Sequence, residues 1–123
     1  MFDLTGKTAL VTGAATGLGA AIAAALARAG ADLVVTDRPG VDLEPTARTV
    51  VEAGRRVERV PLDVRDLRQI QSGVAAARRA FGRIDILVNN AGINRPAPAL
   101  EVSPENWDDH FATNVRGGFF LAQ

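Results

Sequence analysis

The amino-acid sequence predicts an α/β chain: a doubly wound parallel sheet with helices on its two faces. Three observations predict it. Short apolar runs alternate with helix-period segments along the chain. A glycine-rich turn joins the first apolar run to the first helical segment. A proline, Pro61, interrupts the third run, where only a strand at a sheet edge tolerates a missing N–H.

Each element has its own signal. Lys7 to Thr12 reads as a first buried strand, and a helix follows from about Gly17. That helix places Leu18, Ile22, Ala25, Leu26 and Ala29 on one face and stops at Gly30. Leu33 to Thr36 is a second strand ending at Asp37. Asp42 to Ala53 forms a helix closed by Gly54, although Pro45, Thr46 and Thr49 weaken its helical propensity. Val57 to Leu62 is the third strand. Asp66 then caps a helix with Leu67, Ile70, Val74, Ala77 and Phe81 at helical spacing, ended by Gly82. Ile84 to Val88 is the fourth strand, apolar on both faces apart from Asp85. Ser103 as N-cap and Pro104 as first helical residue open a last helix. It runs to the end at Gln123 with no capping residue, as though cut in mid-helix.

Strand–helix alternation requires parallel pairing through right-handed crossovers. The strand order 3-2-1-4 puts the third strand at one edge, as Pro61 independently requires. The fourth strand lies at the other edge, yet its two-sided hydrophobicity suits a strand with a neighbour on each side. The expected architecture is the first half of a doubly wound, Rossmann-like sheet, truncated before its later strands. Residues 1–123 are read as one domain, incomplete at the carboxyl end.

Composition narrows the function classes. Apolar residues make up 47% of the chain and charged residues 23%, so it can bury a core. Fourteen basic and fourteen acidic residues cancel, which gives no electrostatic signature of nucleic-acid or membrane binding. The absence of cysteine removes disulfides, thiolate zinc sites and cysteine nucleophiles. No carboxylate or histidine spacing suggests a metal site. No apolar run is long enough to span a membrane and the first residues are not a signal peptide, so the cytoplasm is the expected compartment.

The turn Thr12-Gly13-Ala14-Ala15-Thr16-Gly17-Leu18-Gly19 carries the chemistry. A strand that turns through glycines into a helix aims several amides and the positive end of the helix dipole at one spot. That arrangement suits a pyrophosphate. Asp37 follows Gly19 by 18 residues, at the carboxyl end of the second strand. A carboxylate there accepts hydrogen bonds from both ribose hydroxyls of an adenosine and repels a 2′-phosphate, favouring NAD over NADP. Arg38 blurs that preference, because a guanidinium at the same place grips a 2′-phosphate.

With Asp63-Val64, Asp85-x-Leu87-Val88-Asn89-Asn90-Ala91-Gly92, Trp107 and Asn114, the chain resembles the short-chain dehydrogenases/reductases over all 123 residues. The resemblance implies an oxidoreductase acting on CH–OH groups with a nicotinamide cofactor and a small-molecule substrate. It implies cofactor contacts at Gly13, Thr16, Gly17, Leu18, Gly19, Asp37, Asp63, Val64, Asn90, Ala91 and Gly92. Asp63 and Val64 match the adenine-contact pair, and Asn90 to Gly92 lie beside the nucleoside end. Asn114 matches an active-site asparagine whose carbonyl bends a helix and holds a water in a proton relay. His110, the one histidine, reads as an ordinary surface or packing residue, and Trp107 as packing.

The resemblance also has a gap. The family's catalytic serine and Tyr-x-x-x-Lys lie beyond the point where this sequence stops. The chain has no tyrosine, and its one lysine, Lys7, begins the first strand. These residues by themselves are not expected to transfer hydride. Thr16-Gly17-Leu18-Gly19 and Gly92-Ile93-Asn94-Arg95 resemble sugar-acid and polyol dehydrogenases of the gluconate type, with 3-oxoacyl-carrier-protein reductases as the other likeness. Three readings stand: the amino-terminal half of such an enzyme, a non-catalytic nucleotide-binding module, or an interaction fragment that needs a complementing chain. The family's last helix joins subunits, so a homo-oligomer is expected.

Overall fold

A computed structural model describes residues 2–123 of the chain. Four parallel strands form one sheet: β1 (Thr8–Val11), β2 (Asp32–Val35), β3 (Val57–Arg59) and β4 (Ile86–Val88), in the order β3-β2-β1-β4. The crossovers are α1 (Gly17–Arg28), α2 (Glu44–Glu52) and α3 (Leu67–Phe81). After β4, a short 3-10 turn (Ala99–Glu101) leads to α4 (Pro104–Phe111), a π-helical turn (Ala112–Arg116) and α5 (Gly117–Ala122). The sequence-derived order of strands is the observed one.

Alternation along the strands divides the core in two. Ala9, Val11, Leu33 and Val35 face α1 and α2, where they meet Ala23, Ala27 and Val50. Leu10 and Val34 face the other way, against Val60 and Ala77. A continuation of that second layer joins Leu62, Val64 and Ile70 to Leu121 of α5.

The face of α1 differs from the expected one. Gly19, Ala23 and Ala27 are its buried residues, while Ile22 and Leu26 flank the contact and Leu18 is 69% exposed. Small residues let the helix axis lie close to the sheet, and the larger apolar side chains then wrap the sides. In α3 the same logic places Gly73 against β3's extension: a Cβ there would lie 3.3 Å from Val60 Cγ1. Asp66 caps α3 by accepting from the amides of Arg68 and Gln69, and Gly82 closes it at φ +80°. Ser103 caps α4 by accepting from the amide of Asn106 at 3.1 Å.

Several elements are shorter than the sequence suggests. β3 ends at Arg59, but extended backbone continues: Val60 N–H donates to Val35 O and Leu62 N–H to Asp37 O. Pro61 falls between these donors, at the alternate position whose nitrogen faces away from β2, so the edge placement is compatible with its missing N–H. β4 starts at Ile86 because Asp85 turns its carboxylate back onto the amide of Thr8 at 2.9 Å. α2 starts at Glu44, whose amide donates to the Asp42 carboxylate.

Candidate functional site

The glycine-rich turn is built from the strands behind it. Gly13 at φ +61° and Gly17 at φ +56° adopt a backbone that side chains disfavour. A Cβ on Gly13 would also sit 3.1 Å from Ala91 Cα. Gly19 has an ordinary φ but no room: a Cβ there would run into the Gly13 carbonyl and lie 2.6 Å from Asn90 Nδ2. Around Gly17, by contrast, the space for a Cβ is open. Two glycines thus close the turn against the strand and helix, and the third leaves it bare on the outside.

The first turn of α1 has no acidic residue, and Thr16 at its N-cap makes no side-chain cap bond. The opening amides of a helix have no intrahelical partner. The amides that open α1 therefore have no acceptor from its cap or first turn, the chemistry an anionic group of phosphate size requires.

The segment after β4 holds the turn in place. Thr12 Oγ1 accepts from the amides of Asn90 (3.0 Å) and Ala91 (2.9 Å) and lies 3.3 Å from the Val88 carbonyl, to which it donates. Asn90 Nδ2 donates to the carbonyls of Thr12 (3.0 Å) and Gly13 (3.2 Å). On the other side, the Asp37 carboxylate accepts from the amides of Ala15 (3.1 Å) and Arg38 (2.9 Å).

Asp63 and Val64 follow β3's extension. Arg65 is bonded through its guanidinium to both oxygens of Asp63, and that pairing, against the cost of burial, holds the Asp63 carboxyl below its ordinary value. Arg65 also reaches Asp109 of α4 at 3.2 Å, and Asp109 pairs with Arg95 at 2.9 Å. An alternating chain of charge, Asp63–Arg65–Asp109–Arg95, so links the loops after β3 and β4 to α4. Hydrogen bonding to Arg95 is the main cause that keeps the Asp109 carboxyl low.

The last helix is continuous but widened. The amide of Gly117 donates to Ala112 O, five residues back, and Asn114 lies inside this π turn. The Asn114 side chain is docked on one residue: Oδ1 accepts from Ile93 N–H at 2.8 Å, and Nδ2 donates to Ile93 O at 2.9 Å. Gly117 brings the helix close, since a Cβ there would lie 2.5 Å from Val64 O. His110 is more than a surface residue. Its Nε2 accepts the Arg95 amide at 3.0 Å while Nδ1 faces Asn106 O at 2.7 Å, a pair satisfied by the neutral ring with its proton on Nδ1.

These elements meet in one cleft of about 300 Å³ at the carboxyl ends of the strands. Gly13, Thr16, Asp37, Asp63, Val64, Asn90, Ala91 and Gly92 line it, with Thr36, Arg38, Arg65, Ile93, Arg95 and Thr113. Gly17, Leu18, Gly19 and Asn114 do not line it: Gly19 is buried behind the turn, and Asn114 acts on the wall through Ile93. Arg65, Arg95 and Asp109 escaped the sequence reading. Only the Asp63-x-Arg65 spacing offered a signal; the links to Asp109 join positions far apart in the chain.

A family model described as short chain dehydrogenase matches residues 7–123. Gluconate 5-dehydrogenase of Gluconobacter oxydans is 43% identical over the whole chain, which covers 48% of that protein. D-threitol dehydrogenase of Mycolicibacterium smegmatis is 43% identical over 99% of the chain and 47% of its own length. A crystal structure of a short-chain type dehydrogenase/reductase from Mycobacterium marinum superposes with a TM-score of 0.95 at 37% identity. It is covered to 49%, against 99% of this chain. The chain spans about half the length of the relatives it matches.

Proposed function

The chain belongs to the short-chain dehydrogenase family, and from that premise we propose that it forms the cofactor-binding half of an NAD-dependent oxidoreductase. Its reaction is hydride transfer at CH–OH groups of sugar acids or polyols, the substrates named in relatives such as gluconate 5-dehydrogenase and D-threitol dehydrogenase. The observation that carries the reading is that Thr16, at the uncapped start of α1, and Asp37 line one cleft.

The residues fit the cofactor. The turn at Gly13, Thr16, Gly17, Leu18 and Gly19 receives the pyrophosphate through main-chain amides. Asp37 accepts the adenosine ribose hydroxyls and disfavours a 2′-phosphate, so NAD is preferred to NADP. Asp63 and Val64 flank the adenine, and Asn90, Ala91 and Gly92 permit close approach of the nucleoside. When bound, the nicotinamide supplies or takes up the hydride. Asn114 serves the reaction from the π turn, where main-chain carbonyls are displaced from regular helical pairing and one can hold a water.

The protein works on a small-molecule substrate in the cytoplasm and as a homo-oligomer. Trp107, Phe111, Val115 and Phe119 support association: they recur every four residues along α4, the π turn and α5 and are all exposed. Among the described residues no helix is long and apolar enough to cross a membrane.

Titrating the full polypeptide with NADH and NADPH tests this reading. Tighter binding of NADH, with turnover on gluconate-type acids or polyols, is the expected result. Failure to bind either coenzyme overturns it. A second reading, a nucleotide-binding module without catalysis, rests on the fit of the cleft lining to a dinucleotide alone. Cofactor binding without turnover of any alcohol or ketone would single it out.

A further inference from the structure

Thr46 has no part in the site described so far, yet it is bonded to the turn at its centre. It stands in the first turn of α2 with 4% of its surface exposed. Its hydroxyl donates to Ala14 O at 2.8 Å and lies 3.3 Å from Ala15 O. Threonine is an indifferent helix former, and at this place its hydroxyl rather than its propensity is used. α2 thereby grips the glycine-rich turn from the side away from the cleft, by its carbonyls.

The planarity of the peptide unit gives this grip its consequence. Ala14 C=O and Ala15 N–H belong to one rigid plane. Thr46 holds the oxygen end of that plane, and the Asp37 carboxylate holds the nitrogen end at 3.1 Å. The preceding plane is fixed as well, because Ala14 N–H donates to Thr36 O at 2.9 Å. The next plane carries Ala15 C=O, the second oxygen near Thr46, together with the amide of Thr16, which lines the cleft. A turn that must present amides to an anion without reorganising needs its planes set beforehand.

We propose that Thr46 is a positioning residue for the dinucleotide. Its hydroxyl clamps the Ala14–Ala15 peptide against Asp37 and so sets the direction of the Thr16 amide and those that follow it toward the pyrophosphate. This rests on the nucleotide-binding reading above and extends it to a residue of α2 that touches no ligand.

Thr46→Val exchanges the hydroxyl for a methyl of nearly equal size, and Thr46→Ser keeps the donor. Dissociation constants for NADH, ADP-ribose and adenosine are measured on the full polypeptide, well below its melting temperature. In T46V the ADP-ribose and NADH constants rise on the order of five- to thirty-fold, whereas the constant for adenosine, which lacks the phosphates, changes less. T46S returns ADP-ribose to within about two-fold of wild type. Should T46V not fold, Thr46→Cys, a weak donor of serine's shape, takes its place and binds ADP-ribose more weakly than T46S. ADP-ribose binding by T46V (or T46C) within about two-fold of wild type, or T46S binding as weakly as T46V, overturns the proposal. A wild-type protein that binds neither NADH nor ADP-ribose overturns instead the nucleotide reading on which it stands.

Discussion

Asp37 Oδ2 accepts the main-chain N–H of Ala15 at 3.1 Å, so the acid that ends β2 is bonded to the turn that ends β1. One side chain thus stands in two places of the proposed function: it faces the ribose position and it buttresses the phosphate turn. The two contributions separate by substitution. Asp37→Asn retains an oxygen for the Ala15 amide but loses the charge, and a charge-assisted hydrogen bond is worth about 1.5–3 kcal/mol. NADH binding by D37N should weaken roughly tenfold or more, with a smaller penalty against NADPH than in wild type. Asp37→Ala also releases the turn and should weaken both coenzymes further. Parallel titrations of the two variants check this; equal affinities in D37N and D37A would remove the buttressing role.

The glycines of the turn make unequal demands, and stability measurements should rank them. Gly19→Ala places a methyl against the Gly13 carbonyl and the Asn90 amide, neither of which is free to move because both are bonded into β1 and the loop after β4. Its cost should reach several kcal/mol, in the range of severe overpacking, and lower expression of folded protein. Gly17→Ala meets open space and pays only for φ +56°, about 1 kcal/mol. Urea melts of the two variants should therefore separate clearly, with G17A the milder.

The order of elements was legible because each depends on local signals. Asp66 and Gly82 bracket α3 by capping chemistry that needs no distant partner, and Pro61 marks an edge by what it lacks. The buried face of α1 was not legible. Hydrophobicity pointed to Leu18 and Ala25, whereas proximity to the sheet selected Gly19, Ala23 and Ala27 for their size. The cleft was largely legible, since Gly13, Asp37, Asp63 and Asn90 all sit at strand ends and strand ends converge in a parallel sheet. The Arg65–Asp109–Arg95 chain and Thr46 were not, because their partners lie 14 to 44 residues away and charged or hydroxyl side chains occur widely on surfaces.

Thr12 offers a test of how the loop after β4 is fastened. Its hydroxyl oxygen is the acceptor for two amides, those of Asn90 and Ala91, and Thr12 is 1% exposed. Thr12→Val leaves the Ala91 amide without its acceptor, at a cost of about 1–3 kcal/mol, while the Asn90 amide keeps Val88 O at 3.0 Å. Thr12→Ser keeps the oxygen and should stay within about 1 kcal/mol of wild type. Thermal melts of the pair decide the matter; a T12V protein as stable as T12S would mean that the loop finds other acceptors.

Acid should unfold the protein through particular carboxylates. Asp32 is 4% exposed and accepts from the Arg56 amide and from the guanidinium groups of Arg55 and Arg56. Burial would raise its carboxyl, but those bonds and charges outweigh it and hold the group below its ordinary value of 3.8. Asp63 is lowered likewise, chiefly by its hydrogen bond from Arg65. A carboxyl depressed in the folded state binds its proton more weakly than in the unfolded chain. The stability it contributes is therefore complete above the ordinary value and drains away as pH falls below it toward the depressed one. The urea midpoint should stay level down to about pH 5 and then decline steeply. Asp32→Asn should be less stable than wild type at pH 7, with the two curves converging as wild-type Asp32 takes up its proton. A gap between them that stays constant from pH 7 to pH 3 would show that the Asp32 charge contributes nothing and that only the lost acceptor matters.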